Sequence, residues 1–138
     1  MTRINIIDPA HLYDQHLVAE YREIFMVPAA LKRSLKRKTP IDPDKEIADT
    51  FTLNKGHVKF FYDKLLYLKK RYTSLIEEMK RRGMNPDPER TFPDLDQFPD
   101  WTKGDWSPTL EEQKIVLERI QKRVNEKPDW YRKTEPVI

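Results

Sequence analysis

Apolar residues recur along most of this chain at spacings of three and four, the period of a helix with one buried face. In "DQHLVAEYREI" the stripe is Leu17, Tyr21 and Ile24, and Asp14 ahead of it reads as an N-cap. Asp8-Pro9 offers an earlier start signal, with proline tolerated in a first turn. Pro28 is expected to interrupt the helix near Met26 and Val27, after which "AALKRSLKRK" resumes it. The clearest pattern runs from His57 to Arg82, where Val58, Phe61, Leu65, Leu68, Tyr72, Leu75 and Met79 share a face and Gly83 follows as a C-cap. Ser107-Pro108 opens a third helix with the stripe Leu110, Leu117, Ile120 and Val124.

Between the last two helices lies "NPDPERTFPDLDQFPDWTKGDW", long for a loop inside a compact domain. It reads as an ordered wrap pinned by Phe92, Phe98, Trp101 and Trp106. With no strand alternation, hairpin signal or internal repeat, the pattern predicts one all-α domain over residues 1–138, with three main helices and long ordered loops.

Composition changes this picture in three ways. Of the 138 residues 38% are hydrophobic and 36% charged, which permits a core under a highly charged surface. The net charge is only +3, a weak field if spread evenly, but it is not spread evenly. "KRSLKRK", the "KKR" and "KRR" of the second helix, and Lys114, Arg119, Lys122 and Arg123 of the third are basic, while residues 87–100 are acidic. Several basic faces with an acidic counter-segment point toward an anionic partner, though each alone is also an ordinary solvated face. Absence of cysteine excludes disulfides, thiolate nucleophiles and thiolate metal sites. There is no secretory apolar region behind Met1, and the longest apolar run, "IFMVPAAL", is far short of a membrane span. The expectation is a soluble intracellular protein, cytoplasmic or acting within a host cell.

Candidate chemistry is sparse. His16, Glu20 and Glu23 share one helical face; a metal site and surface ion pairing both account for them, and pairing needs no further ligand. His57, beside Gly56, reads as a capping or packing histidine. With three glycines no glycine-rich phosphate loop can be built, and no nucleophile elbow is present. The amino terminus remains. Removal of Met1 would expose the Thr2 amine, whose reference pKa of about 7.7–8.0 leaves part of it neutral near pH 7. Arg3 and Arg22 would lower it further, and a neutral amine can attack an electrophilic carbon and form an imine, with Glu23 as acid/base.

"MTRIN", "DQHL", "AEYRE", "GHVKFFYDKL" and the late "WY" of Trp130-Tyr131 resemble, in order from Thr2 to Tyr131, the pyrimidine-dimer DNA glycosylases of the bacteriophage endonuclease V type. The resemblance implies a compact, mostly helical, monomeric repair enzyme that excises ultraviolet photoproducts and cleaves the strand at the abasic site, with no metal or organic cofactor. Its partner would be double-stranded DNA containing pyrimidine dimers or abasic sites, with a base opposite the lesion flipped out. Thr2 matches the nucleophile, whose α-amine attacks the anomeric carbon of the dimer's 5′ nucleotide, and Glu23 matches the catalytic carboxylate. Arg3, Gln15, His16 and Arg22 match residues lining the site or clamping phosphates; Arg119 and Arg123 match basic DNA contacts on the last helix, and Lys32 and Arg33 continue that basic face. The chain departs from the family's pattern at Phe25-Met26 and after Tyr131. A non-enzymatic basic helical DNA-binding protein, the alternative, accounts for the charge patches but not for the Thr2-to-Glu23 spacing.

Overall fold

The computed structural model describes residues 3–136, so Thr2 lies outside the described residues. The helical reading holds: six α-helices and three 3-10 turns, with no strand among the described residues and only an isolated antiparallel bridge between Lys64 and Lys103. The helices are α1 (Asp14–Glu23), α2 (Met26–Leu35), α3 (Pro43–Glu46), α4 (His57–Phe60), α5 (Leu65–Arg81) and α6 (Leu110–Glu126). α1 packs along α5, and their facing stripes, Leu17, Tyr21 and Ile24 with Leu65, Leu68, Tyr72 and Leu75, are buried in the core. None of the helices is long and apolar enough to cross a membrane among the described residues.

Several boundaries differ from the expectation. Asp14 is not the N-cap of α1 but its first residue. Tyr13 occupies the cap, and the Asp14 carboxylate is committed to Arg82 (2.9 Å) and to the Thr134 amide (3.0 Å). Asp8 does cap the 3-10 turn Pro9–His11, accepting from the Ala10 amide. The break between the first two helices falls at residues 24–25, because Pro28 takes a first-turn position in α2, where its missing N–H costs nothing. Arg90 closes that break. Its guanidinium donates to the carbonyls of Tyr21 (2.6 Å) and Arg22 (2.9 Å) while lying over the rings of Tyr21 and Phe25.

The long second helix is two. Phe60, Phe61 and Tyr62 are all buried, and three consecutive residues cannot face one side of an unbroken helix. The chain therefore turns at residues 61–64, and the distant Gly104 supplies what α5 lacks at its start. The Gly104 carbonyl accepts from the Leu66 (3.2 Å) and Tyr67 (3.4 Å) amides, and its own amide donates to the Asp63 carbonyl (3.2 Å). The far end of α5 closes as expected: Gly83, at φ 82, lets Met84 N–H reach the Met79 carbonyl (2.9 Å).

α6 begins later than expected, and only the second half of its expected stripe, Ile120 and Val124, packs against the core. Thr109, not Ser107, caps it in a reciprocal box with Glu112. Leu110 is 83% exposed and Leu117 is exposed too, while Val116 and Ile120 carry the buried stripe. The wrap across residues 85–106 is ordered as expected, with Phe98 buried and Phe92, Trp101 and Trp106 packed against the core. The basic triplets of α5 are in part structural. Arg71 and Arg82, the last residue of each, are buried against Glu20 and against Glu78 and Asp14.

Candidate active site and nucleic-acid interface

Residues 3–7 have no regular secondary structure, yet Ile4, Asn5, Ile6 and Ile7 are all buried. Buried backbone outside helices must find partners; the Ile7 amide donates to the Asn5 carbonyl within the segment (2.5 Å), and the other bonds come from side chains of distant elements. The Ile4 amide donates to His57 Nε2 (2.9 Å). The Asn5 amide and side-chain amide both donate to Glu20 Oε1 (3.0 Å each). Arg71 holds the other side of Glu20, Nε to Oε2 at 2.7 Å and Nη2 to Oε1 at 3.1 Å, and also donates to the Ile7 carbonyl. Arg3 donates to the Leu53 carbonyl. Within this path Ile6 sits at φ 45, a conformation a β-branched residue adopts only when its surroundings impose it.

His57 is therefore more than a packing residue. Thr52 O can only accept, so His57 Nδ1 carries the proton that it donates there (2.7 Å), which leaves Nε2 as the acceptor for Ile4. Burial among Phe51, Phe61 and neighbours pushes the imidazole down to about 4, so both bonds persist through the physiological range. The sequence signal for this role was the histidine of "GHVKFFYDKL" itself, with nothing local to identify its partner.

Glu20 and Glu23 part company on α1. Glu20 is 1% exposed, so the surface pairing expected for it is a buried one. Glu23, half-buried, forms no hydrogen bond or ion pair with any described residue. His16 stacks on Tyr131 with ring centroids 5.0 Å apart and planes 4° from parallel. Burial, then the charge of Arg119, lowers its pKa. The face does not converge on a metal: among the described residues no group of three His, Asp or Glu side chains is arranged to hold one.

Arg3, Arg119 and Arg123 form the electrostatic feature of this region. Burial and then Arg123 depress the pKa of Arg3; burial, then Arg3 and Arg123, depress that of Arg119. None of the three is in an ion pair among the described residues, and Arg3 Nε is buried with no hydrogen-bond partner. Arg3 and Arg119 line one concavity of ≈ 490 Å³ with Phe51, Leu53, Asn54, Lys122 and one carboxylate, Glu118. Arg3, Arg119 and Lys122 bring more positive charge to this concavity than the single carboxylate of Glu118 offsets, which favours an anion, and the planar forks of the guanidiniums suit phosphate oxygens.

The remaining expected DNA contacts are placed differently. Gln15 holds the C-terminal segment, donating to the Trp130 carbonyl (2.6 Å) and accepting from the Arg132 amide (3.2 Å). Arg22 is exposed at the end of α1, beside Gln15 and Arg132. Lys32 donates to Gln97 (2.6 Å) and lies over Phe98, and Arg33 is exposed on the same helix. No contact among the described residues joins Lys32 or Arg33 to the Arg3 group. Residues 1–92 of the chain match the family model described as pyrimidine dimer DNA glycosylase. That span holds the buried path, α1 and His57, and stops short of α6.

Proposed function

The chain belongs to the pyrimidine dimer DNA glycosylase family, and from that premise we propose that it excises dimers through the Thr2 α-amine and then nicks the strand. Its substrate is DNA carrying pyrimidine dimers. The observation that supports the finer reading is a carboxylate and a set of guanidiniums that the fold leaves without ionic partners among the described residues. The carboxylate of Glu23 is in no ion pair among the described residues, and neither are the guanidiniums of Arg3, Arg119 and Arg123.

In this reading the basic group takes the phosphates flanking the lesion. The duplex is distorted and a base opposite the dimer extruded, at about a few kcal/mol, a cost the weakened pairing of a dimer reduces. The amine lone pair attacks the anomeric carbon of the dimer's 5′ nucleotide. The N-glycosidic bond breaks with its electron pair leaving on the pyrimidine, which is protonated; the attached amine then loses its protons and forms the C1′=N imine as the C1′–O4′ ring bond opens onto O4′, which takes up a proton. Glu23 stabilises the positive charge that develops on the sugar, which an uncompensated carboxylate is suited to do. It then assists the proton transfers of β-elimination, in which C2′ loses a proton, the 3′ phosphate leaves and water releases the imine. The protein acts as a monomer, on abasic sites as well as dimers.

Borohydride reduction during turnover on a dimer-bearing duplex tests this. The expected result is a covalent protein–DNA adduct that peptide mass spectrometry locates at Thr2, from protein lacking Met1. Dimer excision with no trappable adduct, or an adduct located on a lysine, overturns the amine mechanism.

A further inference from the structure

A nucleophile at a chain end has a problem that a side-chain nucleophile does not: no secondary structure holds it, and termini are ordered only where something ties them down. The tie lies in the path of residues 3–7, and its bonds are not equivalent. Glu20 and Arg71 hold Asn5 and Ile7 but also form a buried ion pair joining α1 to α5. The Arg3 side chain reaches the Leu53 carbonyl, yet a side-chain bond leaves the backbone free to turn about it. Among the described residues, the backbone anchor nearest the chain end is the Ile4 N–H, and its acceptor is His57 Nε2.

Two residues span at most ~7 Å, so the Thr2 α-nitrogen can lie no farther than that from the Ile4 nitrogen, and fixing the latter bounds where the amine can reach. The anchor is itself rigid. His57 is 1% exposed, gripped edge-on by Phe51 and Phe61, and bonded through Nδ1 to Thr52 O. Thr52 adjoins Leu53, whose carbonyl takes Arg3, and residues 51–54 line the concavity shared with Arg119 and Lys122. One short segment thus braces both the start of the chain and the floor of the basic site. The φ of 45 at Ile6 is further indication that this path is imposed by its surroundings.

We infer that His57 is the positioning residue of the nucleophile: by accepting the Ile4 N–H it aims the Thr2 amine at the sugar, without touching substrate. The inference rests on the amine reading above. Two substitutions separate aim from fold. His57→Asn keeps a donor near Thr52 O and removes the acceptor for Ile4; His57→Gln places a carboxamide oxygen near the Nε2 position.

In single-turnover reactions with enzyme in excess, His57→Asn is expected to lose on the order of 10²-fold in borohydride trapping and excision, the scale of a roughly 1 Å misplacement of a reacting group. Affinity for dimer-bearing DNA should stay within about twofold, and His57→Gln should recover most of the rate. Losses that follow the folded fraction, equal in both variants, overturn the positioning role. A measurement on the unmodified protein guards against variants that do not fold: the Ile4 amide should exchange with solvent as slowly as core amides such as that of Leu75. An Ile4 amide that exchanges freely also overturns the inference. The two readings fail separately. No adduct at Thr2 in the unmodified protein removes the amine mechanism, whereas normal trapping there and in folded His57→Asn removes only the role of His57.

Discussion

Glu20 and Arg71 form a two-pronged ion pair sealed in the interface between α1 and α5, with N–O distances of 2.7 and 3.1 Å, and the same carboxylate carries both amide bonds of Asn5. Removing one partner of such a pair leaves the other charge buried without compensation. Glu20→Gln is expected to destabilise the fold by about 3 kcal/mol, read as a lower urea midpoint at unchanged slope. A midpoint equal to that of the unmodified protein would mean that Arg71 finds another acceptor.

Glu23, three residues further along α1, has the opposite character, with no hydrogen bond or ion pair to any described residue. Glu23→Gln keeps size and removes charge and proton-transfer capacity. Stability should be unchanged and affinity for dimer-bearing DNA equal or slightly higher, since a carboxylate repels phosphate. Excision should fall by about 10²–10⁴, the range of general acid–base catalysis. Because Glu20→Gln disturbs the fold, it is no neutral comparison; an exposed change such as Glu77→Gln on α5 is. Loss of dimer binding in Glu23→Gln would recast the residue as structural.

How much of this was legible in the sequence depends on the range of each interaction. The stripes of α1 and α5 and the glycine that ends α5 are local patterns, and they are where the periodicity put them. α6 was legible only in part: Ile120 and Val124 pack as the periodicity put them, but Ile115, Val116 and Leu117 are consecutive apolar residues. Three neighbours offer three faces 100° apart, and packing chose Val116. The rest is long-range. Nothing near Arg90 indicates that it closes α1, and nothing in "KKR" or "KRR" marks the third residue as buried. Of the candidate site, the motif words contain Arg3, His16 and Glu23, but nothing in them indicates the bond from His57 to Ile4, which spans 53 positions.

Gly104 is a case of such a long-range constraint. A Cβ there would stand 2.5 Å from the Asp63 carbonyl oxygen, which is backbone and cannot swing aside. Gly104→Ala is expected to push the loop off the start of α5, freeing the Leu66 and Tyr67 amides from their acceptor. Faster exchange of those two amides, with a stability loss of about 1–3 kcal/mol, is the expected outcome. Unchanged exchange would mean that the bridge at Lys64 and Lys103 does not hold the loop.

On α6, charge removal should separate binding from chemistry. Arg119→Ala or Arg123→Ala should weaken binding to damaged and undamaged DNA alike, and each should reduce the slope of log affinity against log salt by about one unit. Neither guanidinium is in an ion pair among the described residues, so stability should change little. Unchanged slopes in both variants would mean that α6 faces away from DNA.

The last prediction concerns pH. The imidazole of His57 is pushed from its ordinary value of 6.5 down to about 4 by burial, so the folded state takes up its proton later than the unfolded chain does. Between those values the unfolded state binds more protons, and stability must fall as pH falls through that window; above about 6.5 the contribution is constant. The full interval corresponds to about 3 kcal/mol. His16, whose pKa is lowered first by burial and then by Arg119, adds to the loss with the same sign. Urea unfolding at pH 7.5, 6 and 4.5 should therefore show a progressive loss in the unmodified protein and a shallower one in His57→Gln, which has no proton to take up. The Ile4 amide should keep its protection at pH 6 and lose it only as the pH approaches 4, because only a protonated Nε2 can no longer accept its hydrogen bond. Equal pH dependence in the two proteins would mean that His57 already titrates near its ordinary value in the folded state, and that the acceptor for Ile4 is lost near pH 6.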